Sequence, residues 1–422
     1  MSVTNVKYLL DIAKQAFGNS VAQLIAVAGI PILARLYSPE TFAIQSVFLQ
    51  VVIFFTALVT FRYEYFIPLL RSKDESVLLV RWIVRIGLLM VCFLTALVFL
   101  FDQLDFNFLL AGDSAWYFYL APITAYMVSI ATLFQFEAQR AGIFNASAIS
   151  EVISKISYVL SGIALSIVTV GLGLILTTLF SALSKLVYLR EHGVSFSLIK
   201  LRSTSTSERG LISKFKSRSL GMVLSNSLLV AASLVPLSFI GSNYGANALG
   251  QFSLVMATVF LPSALVGSAI GSVFYQRAAI LWHEKTYLDL HTLWLYTVRN
   301  LFLIAVPIYG LIYLLSAWAY PFVFGEQWSQ AGHFAKVLTI AAFFSFLAGP
   351  LDRVSLIVGI SVYLPILHFA RLAILLAACF ITARADGNVE FFLVLYSSAM
   401  AFIYIVDILI GRFFLSLSKS KL

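Results

Sequence analysis

The feature that most restricts what this chain can become is a succession of long apolar stretches with few charges inside them. They fall at about 16–35, 42–62, 78–101, 115–136, 146–168, 171–189, 219–240, 248–275, 293–316, 334–357, 360–381 and 389–412. A helix of about 20 apolar residues covers the roughly 30 Å hydrocarbon core of a bilayer. The pattern therefore predicts an all-α integral membrane protein with twelve transmembrane helices. The fifth and sixth stretches, and the tenth and eleventh, nearly touch; Gly171 and the segment Gly359–Ser361 divide them. Composition agrees: only 11% of the 422 residues are charged and 61% are hydrophobic, against about 25% and 45–50% in a soluble domain. So few charges could not clothe a soluble fold of this size, and disorder or a disulfide scaffold is excluded on the same ground.

Charge placement orients the spans. With the N-terminus in the cytoplasm, twenty-four of the 28 lysines and arginines fall on the inner side. Arg35, Lys336 and Arg384 fall outside, and Arg371 lies within a span. Such a bias over short loops places both termini in the cytoplasm. The net charge of +9 is then topology rather than a nucleic-acid surface. Lys7, Asp11 and Lys14 precede the first apolar stretch with no small-residue cleavage site after it, so a cleaved leader is not expected. Cys92 and Cys379 sit in apolar runs and are expected to be buried and inert.

The chain reads as a duplication. Its longest polar stretch, about 190–218, lies near the middle. It divides the chain into a six-helix bundle over 1–190, a basic cytoplasmic linker over 191–217 and a second bundle over 218–422. The linker holds Arg202, Arg209, Lys214 and Lys216, with Arg218 just beyond, and is expected to end in a short basic helix at the anionic leaflet. Phe42–Ser46 and Leu249–Ser253 match weakly at an offset of about 207, and Pro31 and Pro236 keep that spacing within two residues. Six spans per half give two bundles related by a pseudo-two-fold axis, a transporter design with the substrate path between the halves.

Polar residues inside apolar stretches are costly and mark either packing or function. Gln15, Asn19 and Gln23 form a stripe over two turns that must face a cavity or another helix. Ser147, Ser150, Ser154, Ser157 and Ser161 follow a 3-4-3-4 spacing, as in a packing seam. Glu151 and Lys155 stand as an i,i+4 pair beside it. Arg371 is the sharpest signal, a guanidinium near mid-membrane that needs an anion, a partner or water. It could pair with Asp407, or offer bidentate donors to a phosphate-bearing substrate.

Enzymatic chemistry is missing. The five histidines have no metal-binding spacing, and neither a phosphate-binding P-loop nor a nucleophile elbow occurs. The outer loops are short, which disfavours a membrane glycosyltransferase or polymerase. No cofactor or metal is expected.

The stretch Leu33–Phe42 (LARLYSPETF), followed by Arg62, Tyr63 and Glu64, resembles the Wzx-type polysaccharide repeat-unit flippases. These are O-antigen and capsule transporters of the multidrug/oligosaccharidyl-lipid/polysaccharide (MOP) exporter superfamily. Phe346–Arg353 looks like the matching feature of the second half, and the resemblance covers essentially the whole chain. One departure is Ala43, where the family commonly has glycine. The same motif has local uses: Ser38 suits a helix cap, Pro39 the first helical position, and Glu40 the positive end of the helix dipole.

The resemblance implies alternating access in the bacterial cytoplasmic (inner) membrane. The substrate would be an undecaprenyl-diphosphate-linked oligosaccharide, with a polysaccharide polymerase and a chain-length regulator as partners. An anionic head cannot cross hydrocarbon unaided, so cationic residues are expected in the path. The candidates are Arg371 first, then Arg62, Arg140 and Arg353, with Gln15, Asn19 and Gln23. Glu64, Glu151, Asp352 and Asp407 are candidates for neutralising them or carrying a coupling proton. A cation-coupled exporter of small molecules with the same fold is the alternative; it predicts an acidic cavity, whereas the deepest charge is basic.

Overall fold

The computed structural model describes residues 3–70, 72–104, 115–168, 171–192, 205–351, 357–358 and 362–417. These residues are helical with short connections, and no strand occurs among them. The order is α1 (Val3–Leu36), α2 (Pro39–Thr60), a 3-10 helix Tyr63–Leu69, α3 (Lys73–Gln103) and a 3-10 turn Ala115–Leu120. It continues with α4 (Ala121–Arg140), α5 (Phe144–Val168), α6 (Gly173–Glu191), α7 (Ser205–Val259) and α8 (Leu261–His283). The last four helices are α9 (Tyr287–Phe324), α10 (Ser329–Ala348), α11 (Tyr363–Arg384) and α12 (Val389–Leu417).

Eleven segments among the described residues are long and apolar enough to cross a membrane. One of them, Glu208–Leu265, has 58 residues, about 87 Å at 1.5 Å per residue and far more than one crossing needs. It is broken at Gly245, whose φ of 85° and ψ of 171° are closed to an α-helix and favour a residue without a Cβ. Counted on both sides of that break, the segment supplies the seventh span and the start of the eighth, which α8 continues. Gly245 stands 207 positions after Ser38, where α1 gives way to α2, so the break recurs at the offset of the sequence repeat.

Local chemistry sets the other starts. The Thr41 amide donates to Ser38 Oγ at 3.4 Å as α2 begins. Likewise the Glu75 amide donates to Ser72 Oγ at 3.1 Å at the start of α3, with Asp74 and Glu75 on the positive end of its dipole.

The chain forms two compact units. The first comprises Met1–Tyr37 and Ile44–Val230; the second comprises Ser38–Ala43 and Ala231–Leu422. In the first, α1 lies on α5 through small residues. A Cβ at Gly18 would press on Ala148, one at Gly29 on Val159, and one at Gly162 on Leu33. The serine seam of α5 meets α6, with Ser154 Oγ 2.7 Å from Ser181 Oγ. In the second unit α10 lies against α9, where a Gly332 Cβ would come 2.7 Å from the Ser316 carbonyl oxygen. Tyr309 OH meets Ser263 Oγ at 2.8 Å beneath them.

The duplication also appears in hydrogen bonding within each unit. Tyr37 OH donates to the Gly162 carbonyl at 2.7 Å in the first, and Tyr244 OH to the Gly387 carbonyl at 2.6 Å in the second. These tyrosines are 207 residues apart and end the first span of their halves. Burial pushes the Tyr37 phenol up to about 12, so it remains a donor at any ordinary pH.

One expectation changes. Cys92 is exposed and Cys379 only half-buried, because an apolar helix face in a membrane protein needs lipid rather than protein to cover it. Large exposed side chains around Cys92, Leu88, Leu89 and Phe93, belong to the same outward face of α3. The end of the expected linker is helical from Ser205, and α7 as far as Val230 is part of the first unit. There Leu211, Phe215 and Ser219 are buried while Arg209, Lys214, Lys216 and Arg218 are exposed.

Candidate functional site

The charged centres of the two units differ in how far their charges are already satisfied. In the second unit Arg371 lies on α11, eight residues past Tyr363. That is about 12 Å along the helix, and within three residues of the middle of the span Tyr363–Arg384. Its guanidinium carbon sits 5.3 Å from the centroid of the Tyr404 ring, and its Nε is buried without a hydrogen-bond partner. The pairing with Asp407 left open by the sequence is absent: no carboxylate among the described residues lies within 4.0 Å of Arg371. Asp407 instead accepts a hydrogen bond from Tyr363 OH at 2.5 Å. Tyr363 supplies what the guanidinium would have supplied, which leaves the donors of Arg371 uncommitted. His368, one turn before Arg371, also has a buried and unpartnered Nδ1.

In the first unit the equivalent charges are mostly spent. The turn after α2 places Phe61 and Arg62 consecutively in left-handed backbone, with φ of 49° and 60°, a conformation that costs a non-glycine residue about 1–3 kcal/mol. Ser219 holds it by donating to the Phe61 carbonyl at 2.6 Å. Tyr63 OH donates to the Ile212 carbonyl at 3.0 Å, and Phe66 stacks on Phe215. Arg62 Nη2 donates to Asn226 Oδ1 at 2.7 Å, and Nη1 lies 3.8 Å from Glu64. Glu64 is 1% exposed. Burial pushes its carboxyl above the usual range, while a Thr60 hydrogen bond and the Arg62 charge pull the other way.

Arg140 is committed to Glu137 at the end of α4, with Nε donating to Oε2 at 2.7 Å and Nη2 to Oε1 at 2.5 Å. Ser76 Oγ donates to the same carboxylate at 2.6 Å. Glu151 is not held by Lys155. Lys185 Nζ lies 2.6 Å from Glu151 Oε1, and Gln135 joins both, accepting from Lys185 at 2.7 Å and donating to Glu151 at 2.9 Å. The i,i+4 spacing made Lys155 available, but α6 brings a better-placed ammonium.

Of the amide stripe on α1, Gln15 donates to Asn19 Oδ1 at 3.1 Å, while Asn19 and Gln23 are exposed. Asp352 and Arg353 lie outside the described residues. The partners Glu137, Lys185, Gln135, Asn226 and Tyr363 were missed by sequence reading. Only Glu137, three residues before Arg140, had a local signal. Among the described residues no three His, Cys, Asp or Glu side chains converge as a metal site would require.

Residues 32–333 match the family described as polysaccharide biosynthesis protein, and the chain belongs to that family. Its fold is that of the MOP superfamily. An inward-facing multidrug resistance MATE family transporter of that superfamily is 15% identical, with 96% of this chain and 95% of that one covered at a TM-score of 0.66. The lipid II flippase MurJ in an inward closed conformation is 14% identical, with 98% and 87% covered at 0.67. A MOP superfamily transporter from Pyrococcus furiosus is 16% identical, with 97% and 96% covered at 0.59. No curated protein matches. The chain is thus a multi-pass membrane protein of a polysaccharide biosynthesis family, with the fold those transporters share.

Proposed function

We propose that the protein is a flippase. It carries an undecaprenyl-diphosphate-linked oligosaccharide repeat unit from the cytoplasmic to the periplasmic leaflet of the bacterial inner membrane, with both termini in the cytoplasm. The observation that carries this reading is Arg371, a guanidinium at mid-span with no carboxylate within 4.0 Å among the described residues. A cation at that depth without a close ion pair is costly and persists where it has work to do. A diphosphate offers the paired acceptors that a guanidinium fork fits. The family membership supplies the polysaccharide context.

The other cations contribute unequally. Arg140 is neutralised by Glu137 and acts as a structural end to α4. Arg62, held by Asn226 and close to Glu64, serves the inner approach, as does Arg353. The exposed amides Asn19 and Gln23, with Gln15, line the path and bind sugar hydroxyls. Asp407 and Glu64 are the acids left for charge compensation or proton coupling, since Glu151 is held by Lys185. A polysaccharide polymerase and a chain-length regulator receive the product.

The test is mass spectrometry of polyprenyl-diphosphate oligosaccharides in a strain lacking the protein. Single completed repeat units should accumulate facing the cytoplasm, with surface polymer lost. The wild-type gene should restore the polymer and an Arg371→Gln gene should not. Unchanged glycan with no accumulated lipid-linked sugar would refute flipping and favour a small-molecule exporter.

A further inference from the structure

We infer that Lys155 is an anion-binding residue, the first unit's counterpart of Arg371, and that it contacts the diphosphate of the lipid-linked substrate. The inference rests on the flippase reading above and adds a residue to it.

In the sequence Lys155 counted among the inner-side charges of the fifth span. It stands eleven residues past Phe144 on α5, about 16 Å along the axis. That is one residue from the middle of the span Phe144–Val168, too deep for a lysine side chain to reach either interface. It is half-buried. Its expected partner Glu151 is taken by Lys185 at 2.6 Å, and no acid among the described residues lies within 4.0 Å of the Lys155 ammonium. The polar centre of the first unit holds one carboxylate, Glu151, and two ammonium groups, Lys155 and Lys185. It therefore carries one positive charge in excess at mid-membrane.

The topology makes this a matched pair. Helix α5 is the fifth span of its half, and α11, with Arg371, is the fifth span of the other. Each bears one central cation that has no acid within 4.0 Å among the described residues, although each unit contains an acid that could have paired with it. In each case another residue takes that acid: Lys185 binds Glu151, and Tyr363 donates to Asp407. The surroundings of Lys155 are also polar. The packing of Gly18 on Ala148 and of Gly29 on Val159 fixes the height of α1 against α5. By that register, the exposed amides of Asn19 and Gln23 fall at the levels of residues 149 and 153, next to the turn that carries Lys155. Exposed amides and a spare ammonium at mid-span suit water and a polar ligand, and suit lipid poorly. Within the first unit, a phosphate group is the ligand that a spare ammonium beside exposed amides would select over a neutral sugar or a cationic drug.

The test uses the full chain in nanodiscs of zwitterionic lipid, with farnesyl diphosphate as probe and farnesol as the uncharged control. Wild-type protein should bind the diphosphate and not the alcohol. Lys155→Gln should weaken diphosphate binding about tenfold, Lys155→Arg should stay within about threefold of wild type, and melting temperatures should be unchanged. Wild-type affinity in Lys155→Gln would overturn the inference while leaving the flippase reading intact. So would equal weakening in Lys155→Gln and Lys155→Arg accompanied by lower melting temperatures, which marks a packing role. Failure of wild-type protein to prefer the diphosphate, with no lipid-linked units accumulating in the strain lacking it, would overturn both.

Discussion

Replacing Lys185 by methionine tests whether the polar centre of the first unit is structural. Lys185 is 9% exposed, and its ammonium lies 2.6 Å from Glu151 Oε1. At an effective dielectric of about 20 the Coulomb attraction at that separation is about 6 kcal/mol, much of it offset by taking both charges out of water. Removing one partner leaves a carboxylate among α4, α5 and α6, which costs about 3–5 kcal/mol in comparable buried pairs. Lys155 is close enough to act on Glu151 electrostatically and takes over part of the compensation, so the lower end applies. A loss of about 3 kcal/mol corresponds to a fall of about 6–12 °C in melting temperature for a unit of this size. The double variant Lys185→Met/Glu151→Gln should recover most of that fall, because it leaves no unpaired carboxylate. The assay is thermal unfolding of detergent-solubilised protein for wild type, both single variants and the double. A Lys185→Met protein that melts with wild type, or a double variant no more stable than the worse single one, would refute the reasoning.

Three further outcomes follow from the same geometry. Glu64 has a folded-state pKa raised by burial, so its neutral form favours the fold. Its contribution is fully present below the unfolded value of about 4.3 and is lost as pH rises through the higher folded value. Melting temperature should therefore fall as pH rises above the unfolded value by more in wild type than in Glu64→Gln, and equal pH profiles would be the contrary result. Tyr37→Phe and Tyr244→Phe each remove one hydrogen bond, buried at Tyr37 and part-buried at Tyr244, worth about 1 kcal/mol. Each should lower the melting temperature by about 2–4 °C, readable by thermal unfolding. Gly332→Ala should destabilise the second unit despite the better helix former, because its Cβ would meet the Ser316 carbonyl at 2.7 Å and overpacking costs about 1–3 kcal/mol. The same melting assay reads it, and a stabilised variant would contradict the close approach of α9 and α10.

The spans were legible in the sequence because a bilayer imposes one rule on every crossing segment: enough apolar length, and backbone hydrogen bonds made within the helix. The α2 start was legible too, because Ser38 caps its own neighbour. The repeat read from Phe42–Ser46 and Leu249–Ser253 has the same offset as the breaks at Ser38 and Gly245 and the matched Tyr37 and Tyr244, which only the structure brought out. The charge partners were not legible. Glu151 looked paired with Lys155 along one helix and takes Lys185 from the next, and Arg371 looked paired with Asp407 and does not meet it. Helical periodicity reports only which residues share a face of one helix. Which acid meets which base depends on how three or four helices are rotated and set in height, through contacts such as Gly18 on Ala148 and Gly29 on Val159. The sequence by itself thus determined that the chain crosses the membrane about twelve times in two related halves. The tertiary structure alone decided which of these charges have a close ion-pair partner, as Glu151 has in Lys185, and which, Arg371 and Lys155, have no acid within 4.0 Å among the described residues.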